Sequence, residues 1–385
     1  MYIIKCISWL VISCIVGAKL SIAASVTVTV PESVSAPKVE LGRYLFNDVR
    51  LSKFGNRSCA LCHSPYHGWS NTFSKTPDIH GNISTLNTPS LLNAADFTTY
   101  MQASRDLTDL AETIKRPLLS TSPEEMGMLE PLLISRLQRS SSLYAPLFIR
   151  AFGSSTVTLD KVLLALAEYV KTIRSTDTPY HRYLEQADIN PLTPAQQKGL
   201  VLFKSKRLNC TACHSGVLLD RRTDARKTNF ANTGLYGIES ERGYIYPPAA
   251  SGLQSTSGRI EDNGKFRIPS LINVTATGPW GHDGSFSTLG AVIDSYARGG
   301  RLTVSGPNQG DGNKHPKKDR LITGFSLTQL EKSQLLGFLA ALAIPVPAQL
   351  IQHASPFCAL VTLPGRVDVA DCILPFIYRG SENTD

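Results

Sequence analysis

The chain has 385 residues, 42% hydrophobic and 18% charged, enough to bury one or two sizeable cores, which excludes a disordered chain or a fibrous repeat. Lys and Arg number 39 against 31 Asp and Glu, a formal charge of +8 that becomes +6 once Lys5 and Lys19 of the leader are set aside. So mild a basic excess suits acidic protein partners, and the dense Lys/Arg patches interleaved with aromatics that mark nucleic-acid binding are not in the sequence.

Residues 1–23 read as an export signal: Lys5, the apolar run Ile7 to Gly17, then Ser21-Ile22-Ala23-Ala24, small residues that suit cleavage after Ala23. An uncleaved anchor is the alternative, and Val11-Ile12-Ser13-Cys14 resembles a lipoprotein site behind a very short apolar stretch. The chain is therefore expected in the periplasm. No later segment reaches the roughly 20 apolar residues that cross a bilayer, so no membrane span is expected in the mature chain.

Gly42-Arg43-Tyr44-Leu45-Phe46 predicts an amphipathic helix leading into Cys59-Ala60-Leu61-Cys62-His63. A helix from Asp160 to Ile173, with Val162, Leu163, Leu166, Val170 and Ile173 on one face, closes a first domain over residues 24–185. The second domain, residues 186–350, opens with Thr193-Pro194-Ala195-Gln196, a capping box with proline at the first helical position. Its helix runs through Gly199-Leu200-Val201-Leu202-Phe203 into Cys210-Thr211-Ala212-Cys213-His214. Strand signals are sparse, and the Gly-, Pro-, Asn- and Ser-rich segments Asp220 to Gly264 and Gly299 to Gly324 read as long loops. Thr328-Gln-Leu-Glu331 caps a last helix to about Leu342, ended by Pro345 and Pro347. In the tail, residues 351–385, an oxidising compartment makes Cys358 and Cys372 a disulfide worth about 3 kcal/mol, with two buried free thiols as the alternative.

The two Cys-x-x-Cys-His runs carry the chemistry. Two thiols one helical turn apart each add to a haem vinyl group, and the adjacent imidazole is directed at the iron. With 8 Cys and 8 His in the chain, one chance match is expected in about 3 in a thousand such sequences, and two far more rarely. Zinc modules place their Cys pairs roughly 15 to 20 residues apart, unlike these, and a thioredoxin-like site requires neither the histidine nor a second copy. Two covalently bound haem c groups are expected, held by Cys59, Cys62 and His63 and by Cys210, Cys213 and His214. The expected fold is mostly α, with two cytochrome-c-like haem domains, long loops over a haem face and little strand. The methionines are Met1, Met101, Met126 and Met128, so the second domain offers its iron no methionine; His, Tyr, Lys or an open position remain, each leaving a lower potential than His/Met ligation.

A series of segments in fixed order resembles the bacterial di-haem cytochrome c peroxidases. They are Leu41-Gly-Arg-Tyr-Leu-Phe-Asn-Asp48 with Arg50-Leu-Ser52, the first haem motif, Asn87-Thr-Pro-Ser-Leu-Leu-Asn93, Pro123-Glu-Glu-Met-Gly127, Phe266-Arg-Ile-Pro-Ser-Leu-Ile-Asn273 and Gly278-Pro-Trp-Gly-His-Asp-Gly-Ser285. The resemblance spans residues 38 to 345 and is closest to the branch of MauG and the methanobactin-associated MbnH, on the segment Val292-Ile-Asp-Ser-Tyr-Ala-Arg-Gly-Gly300. It implies that Tyr296, fourteen residues after His282, ligates the second iron where the peroxidases have methionine. It implies Glu125 as the acid-base residue over the open first haem, with Glu124 as the alternative, and Pro117 packed on the same face. Asn87, with the carbonyls of Thr277 and Pro279, matches a calcium site between the haems, and His282 and Arg267 fall in segments that line a haem crevice.

Three departures accompany it. Gln102 stands where the family has a tryptophan relay between haems, leaving Tyr100 or Trp280 as other routes. Thr113 replaces a distal glutamine. His80 lies near a loop histidine that caps the first haem reversibly in many peroxidases, with a solvated loop histidine as the alternative reading. The resemblance implies hydrogen peroxide as oxidant and either a protein or peptide substrate, in the manner of MauG, or a small redox-protein donor feeding a peroxide scavenger. A non-enzymatic di-haem electron carrier is the third alternative.

Overall fold

The computed structural model describes residues 36–185, 190–221, 229–241, 243–344, 353, 355–363 and 366–372. The expected leader and cleavage site lie outside the described residues. Helices dominate, because apolar residues recur at helical spacing and several of the longer segments start on a capping side chain. In chain order they are α1 (Ala36–Asn47), α2 (Cys59–Cys62), α3 (Leu110–Leu119), α4 (Glu130–Arg139), α5 (Ser141–Phe152), α6 (Leu159–Lys171), α7 (Pro179–Leu184), α8 (Pro194–Lys204), α9 (Gln254–Ser257), α10 (Leu289–Arg298) and α11 (Gln329–Ala340).

The same helix pair is built twice. In the first half α1 crosses α6 where a Cβ on Gly42 would lie 2.0 Å from Ala165 O and 2.6 Å from Tyr169 Cβ. In the second half α8 crosses α11, where a Cβ on Gly199 would lie 2.0 Å from Gln334 O and 2.8 Å from Phe338 Cβ. Glycine is required at both crossings because the backbones touch. The buried residues Leu41, Leu45 and Phe46 of α1 face Val162, Leu166 and Tyr169 of α6, and Leu200 and Phe203 of α8 face Leu335 and Phe338 of α11. Each fully buried leucine contributes about 2 kcal/mol of transfer free energy.

The capping boxes expected at Thr193 with Gln196 and at Thr328 with Glu331 both form. The helix expected from Asp160 to Ile173 is α6, which Thr158 caps by accepting from Lys161 N. The helices α3 to α5 had no counterpart in the sequence reading; α3 and α5 each contain a proline, Pro117 and Pro146, which breaks the usual signal.

The segments expected as long loops contain very short strands, β1 (Phe230–Ala231), β2 (Ile238–Ser240), β3 (Gly243–Ile245), β5 (Leu302–Thr303) and β6 (Gly310–Asp311), and β4 (Phe266–Arg267) follows just after the first of them. β1 pairs antiparallel with β4, Phe230 opposite Arg267, and the others form an antiparallel sheet in the order β3-β2-β6-β5. Strands of two or three residues carry no readable alternation.

In the tail, β7 (Cys358–Leu363) and β8 (Arg366–Cys372) form a hairpin whose register sets Cys358 opposite Cys372; the side chains of that pair, and so the expected disulfide, lie outside what is described. Among the described residues no helix is long and apolar enough to cross a membrane.

Candidate haem sites

Each Cys-x-x-Cys-His run is a single helical turn followed by a tight loop that returns to the histidine. In the first, His63 Nδ1 lies 3.0 Å from Trp69 O; in the second, His214 Nδ1 lies 2.8 Å from Leu219 O. Trp69 and Leu219 both adopt left-handed backbone, at φ 65° and φ 52°, which turns each carbonyl back toward the ring. A carbonyl only accepts, so Nδ1 carries the proton and Nε2 keeps its lone pair for a metal. Burial pushes His63 down to about 4 and lowers His214 as well, so both rings are neutral ligands at neutral pH. None of the four cysteines is paired in a disulfide.

A second duplicated segment backs each histidine. Ser90 Oγ donates to Gly68 O at 2.5 Å and Ser270 Oγ to Leu218 O at 2.8 Å. Asn93 and Asn273, at φ 59° and φ 60°, clip these loops to the end of the helix closing their half. Asn93 N donates to Ile173 O and Asn273 N to Leu342 O, while Asn93 Oδ1 accepts from Ser175 N and Asn273 Oδ1 from Ile344 N. The paired Pro-Ser-Leu-(Leu/Ile)-Asn runs signal this in the sequence, but the sequence reading used them only as family markers.

The second site opens into a cavity of ≈ 350 Å³ lined by Cys210, Cys213, His214 and Tyr296. Tyr296 is carried by α10, which Thr288 caps by accepting from Ala291 N. Burial raises its phenol, and the Cys213 and Cys210 thiols add to that, which requires a strong Lewis acid before the oxygen ionises in place. Arg267 and His282 line the same cavity. The Arg267 guanidinium sits 4.2 Å over the Phe97 ring and burial pulls it down to about 10. The His282 ring stacks on Phe266 at 3.7 Å, its Nε2 is buried without a partner, and burial pushes it down to about 4.

Asn87, Thr277, Pro279, Gln102 and Trp280 border this cavity too. Asn87 Nδ2 donates to Phe73 O at 3.0 Å and Ser74 O at 3.2 Å, which leaves its Oδ1 available. Gln102 Nε2 donates to Asn87 O at 2.6 Å, and Trp280 Nε1 donates to Val274 O at 2.8 Å.

At the first site, the loop carrying Glu125 folds back on α3. Met126 N donates to Pro117 O at 3.1 Å and Met128 N to Leu118 O at 3.0 Å, so Pro117 and Glu125 share one corner. Burial raises the Glu125 carboxyl, and the glutamate in turn raises the Cys62 thiol electrostatically, which sets it beside the haem-attachment turn. Glu124 is half-buried under two surface groups: it accepts from Lys53 Nζ at 3.0 Å and lies 2.6 Å from His80 Nε2. His80 is 44% exposed and its ring is held by this carboxylate. Thr113 Oγ1 donates to Asp109 O within its own helix.

A neutral histidine with a fixed tautomer, paired free thiols at its side and a largely apolar cavity suit a haem group. That donor set, duplicated on twin helix pairs, defines a two-site haem protein. The family model for di-haem cytochrome c peroxidase matches residues 36–188. The methylamine utilization protein MauG of Methylorubrum extorquens is 32% identical over 322 residues, 81% of this chain and 82% of that protein. The MauG of Methylophilus methylotrophus is 30% identical over 321 residues, 81% of this chain and 86% of that protein. Among solved structures, a MauG-like protein associated with microbial copper homeostasis superposes with a TM-score of 0.72 at 33% identity, covering 80% of this chain and 90% of its own. The chain therefore belongs to the di-haem cytochrome c peroxidase family, whose members carry two haem groups and act as haem-dependent oxidoreductases.

Proposed function

We propose that this chain is a MauG-like oxidase of the periplasm: it reacts with hydrogen peroxide at the first haem and uses the oxidising equivalents to modify a partner protein or peptide. The observation that carries this reading is Tyr296 in one cavity with His214, in a half of the chain without methionine. A His/Tyr ligand set stabilises oxidised iron, whereas a scavenging peroxidase relies on a higher-potential haem to collect donor electrons.

Cys59 and Cys62, and Cys210 and Cys213, would hold the two haems through thioether bonds, and His63, His214 and Tyr296 would supply donors to their irons. The haems supply iron that binds peroxide and exchanges electrons. Glu125, whose carboxyl is raised toward its neutral form, moves the proton between the two peroxide oxygens, and Pro117 walls that face against water. Asn87 Oδ1 and the carbonyls of Thr277 and Pro279 form a neutral, all-oxygen set that suits a calcium ion completed by waters, with the loop bearing Asn87 tied to His282 O by Asn87 N at 2.7 Å. Residues 24–185 and 186–350 form one haem domain each, centred on the α1–α6 and α8–α11 pairs.

The second reading, a peroxide scavenger with a small redox-protein donor, draws on Gln102, whose side chain cannot relay charge by oxidation. The deciding experiment is the optical and EPR response of the fully ferric protein to one equivalent of hydrogen peroxide. The oxidase loses both ferric signals at once and forms a long-lived two-electron-oxidised state. Inertness until one haem is reduced overturns the oxidase in favour of the scavenger, and inertness in every redox state leaves the electron carrier.

A further inference from the structure

The tail beyond the family resemblance delivers one histidine into the first half of the protein. His353 is buried, 4% exposed, with its ring 4.8 Å from Trp69 and 5.6 Å from Tyr169. Both His353 nitrogens and the Tyr169 hydroxyl are buried without a hydrogen-bond partner. Buried polar groups are satisfied in the great majority of cases, and each orphan costs about 1 to 3 kcal/mol. The Tyr169 O–H donor and the His353 nitrogen acceptors thus sit on adjacent rings, 5.6 Å between centroids.

The surroundings are those of an oxidisable site. Trp69 is the residue whose carbonyl holds His63. Tyr169 lies close enough to Cys59 for the thiol to raise its phenol, and burial raises it further. Phe46 bridges the two rings, 6.2 Å from Trp69 and 5.1 Å from Tyr169. The charged group felt by both Tyr169 and His353 is Arg43 of α1, and together with burial it pulls His353 down to about 4, so the imidazole is neutral and has a free lone pair. The tail also rests on α1 through Phe357, whose ring meets Tyr44 edge-on at 5.6 Å.

We propose that Tyr169 and His353 form a proton-coupled radical site beside the first haem, with Trp69 as its aromatic neighbour. Tyr169 gives one electron to the peroxide-oxidised haem and its phenolic proton to His353, leaving a neutral tyrosyl radical and an imidazolium. One electron from the substrate and return of the proton restore both groups. A phenol radical cation is a far stronger acid than an imidazolium, so the transfer runs toward His353, and the weak basicity of that ring favours the proton's return on re-reduction. The proposal rests on the peroxide reactivity inferred above.

The test is freeze-quench EPR of the fully loaded ferric protein after one equivalent of hydrogen peroxide, with wild type, Tyr169→Phe, His353→Leu and Trp69→Phe compared. Wild type is expected to give an organic radical whose hyperfine pattern narrows when the protein carries ring-deuterated tyrosine. Tyr169→Phe removes that pattern; because the substitution deletes an orphaned hydroxyl, its fold and haem spectra stay as in wild type. His353→Leu lowers the tyrosyl yield and shifts the signal to tryptophan, and Trp69→Phe abolishes that residual signal in the double variant. An unchanged tyrosyl signal in Tyr169→Phe, or ferric signals that respond to peroxide with no organic radical, overturns this site and leaves the oxidase intact. Ferric signals inert to peroxide overturn both.

Discussion

Tyr296 and Glu125 show how far a single residue carries a functional reading. Tyr296 is half-buried in the cavity beside the Cys210–Cys213 turn and desolvation raises its phenol, so an unligated phenolate is disfavoured there, and only a bond to ferric iron returns that energy. Tyr296→Phe is expected to convert the second haem's ferric spectrum from low spin toward high spin, with both haems still attached; an unchanged spectrum removes Tyr296 as ligand. Glu125→Gln keeps size and removes the proton-transfer function, for which a loss of about 100-fold in the rate of peroxide reaction is expected from general acid-base contributions. Wild-type kinetics in that variant would transfer the role to Glu124, whose carboxylate is instead lowered by Lys53 and His80 at the surface. The haem-attachment residues were legible because their chemistry demands a fixed spacing. The carbonyls of Trp69 and Leu219 were not, since a backbone acceptor leaves no side-chain signature and only the unusual positive φ reveals it.

At the scale of elements, the two halves are alike where backbones must touch. Gly42 and Gly199 were read only as parts of amphipathic helices, yet a methyl group at either would sit 2.0 Å from a carbonyl oxygen of the facing helix. Neither α6 nor α11 has slack to retreat, because α6 is buried along most of its length and Ala341 and Leu342, which follow α11 directly, are fully buried. Gly42→Ala and Gly199→Ala should each cost about 3 kcal/mol or more by overpacking. Thermal melts of the two haem-loaded variants check this, and a melting temperature within error of wild type for either would mean that the crossing relaxes. The helix pairs themselves were readable from caps and periodicity. The short strands were not, because two or three residues show no alternation, and although the Asn93 and Asn273 runs repeat visibly, their contacts with residues 173 and 342 are not encoded in any local pattern.

The whole molecule is tuned against acid by histidines that fold in their neutral form. His315 is 3% exposed, with Nε2 2.9 Å from Asn263 Oδ1 and Nδ1 accepting from Lys317 N at 3.1 Å. It joins Asn232, Asn263 and Tyr246 in one buried network, which holds the loops over the second haem cavity. Burial pushes His315, His353 and His282 down to about 4 from 6.5. In that window the unfolded chain binds more protons than the folded one, so stability is fully present above about pH 6.5 and falls as pH drops toward about 4, where the effect levels off. Each such histidine can contribute up to about 3 kcal/mol across the window. Carboxylates held below their usual range, such as Asp283 beside His282 and Asp311 beside Arg298, add their own loss only as pH falls through the carboxylate range, so the upper part of the window isolates the histidines. His63 and His214 are left out because, on the proposed ligation, iron would occupy their basic nitrogen in the loaded protein. Melting the loaded protein at about pH 7 and about pH 5 should show a clear fall, driven by proton uptake on unfolding. His315→Asn, which keeps a polar side chain but cannot titrate, should melt lower than wild type at the higher pH yet lose less between the two. A wild-type melting temperature that is flat across this interval would show that these rings gain water and protons without unfolding.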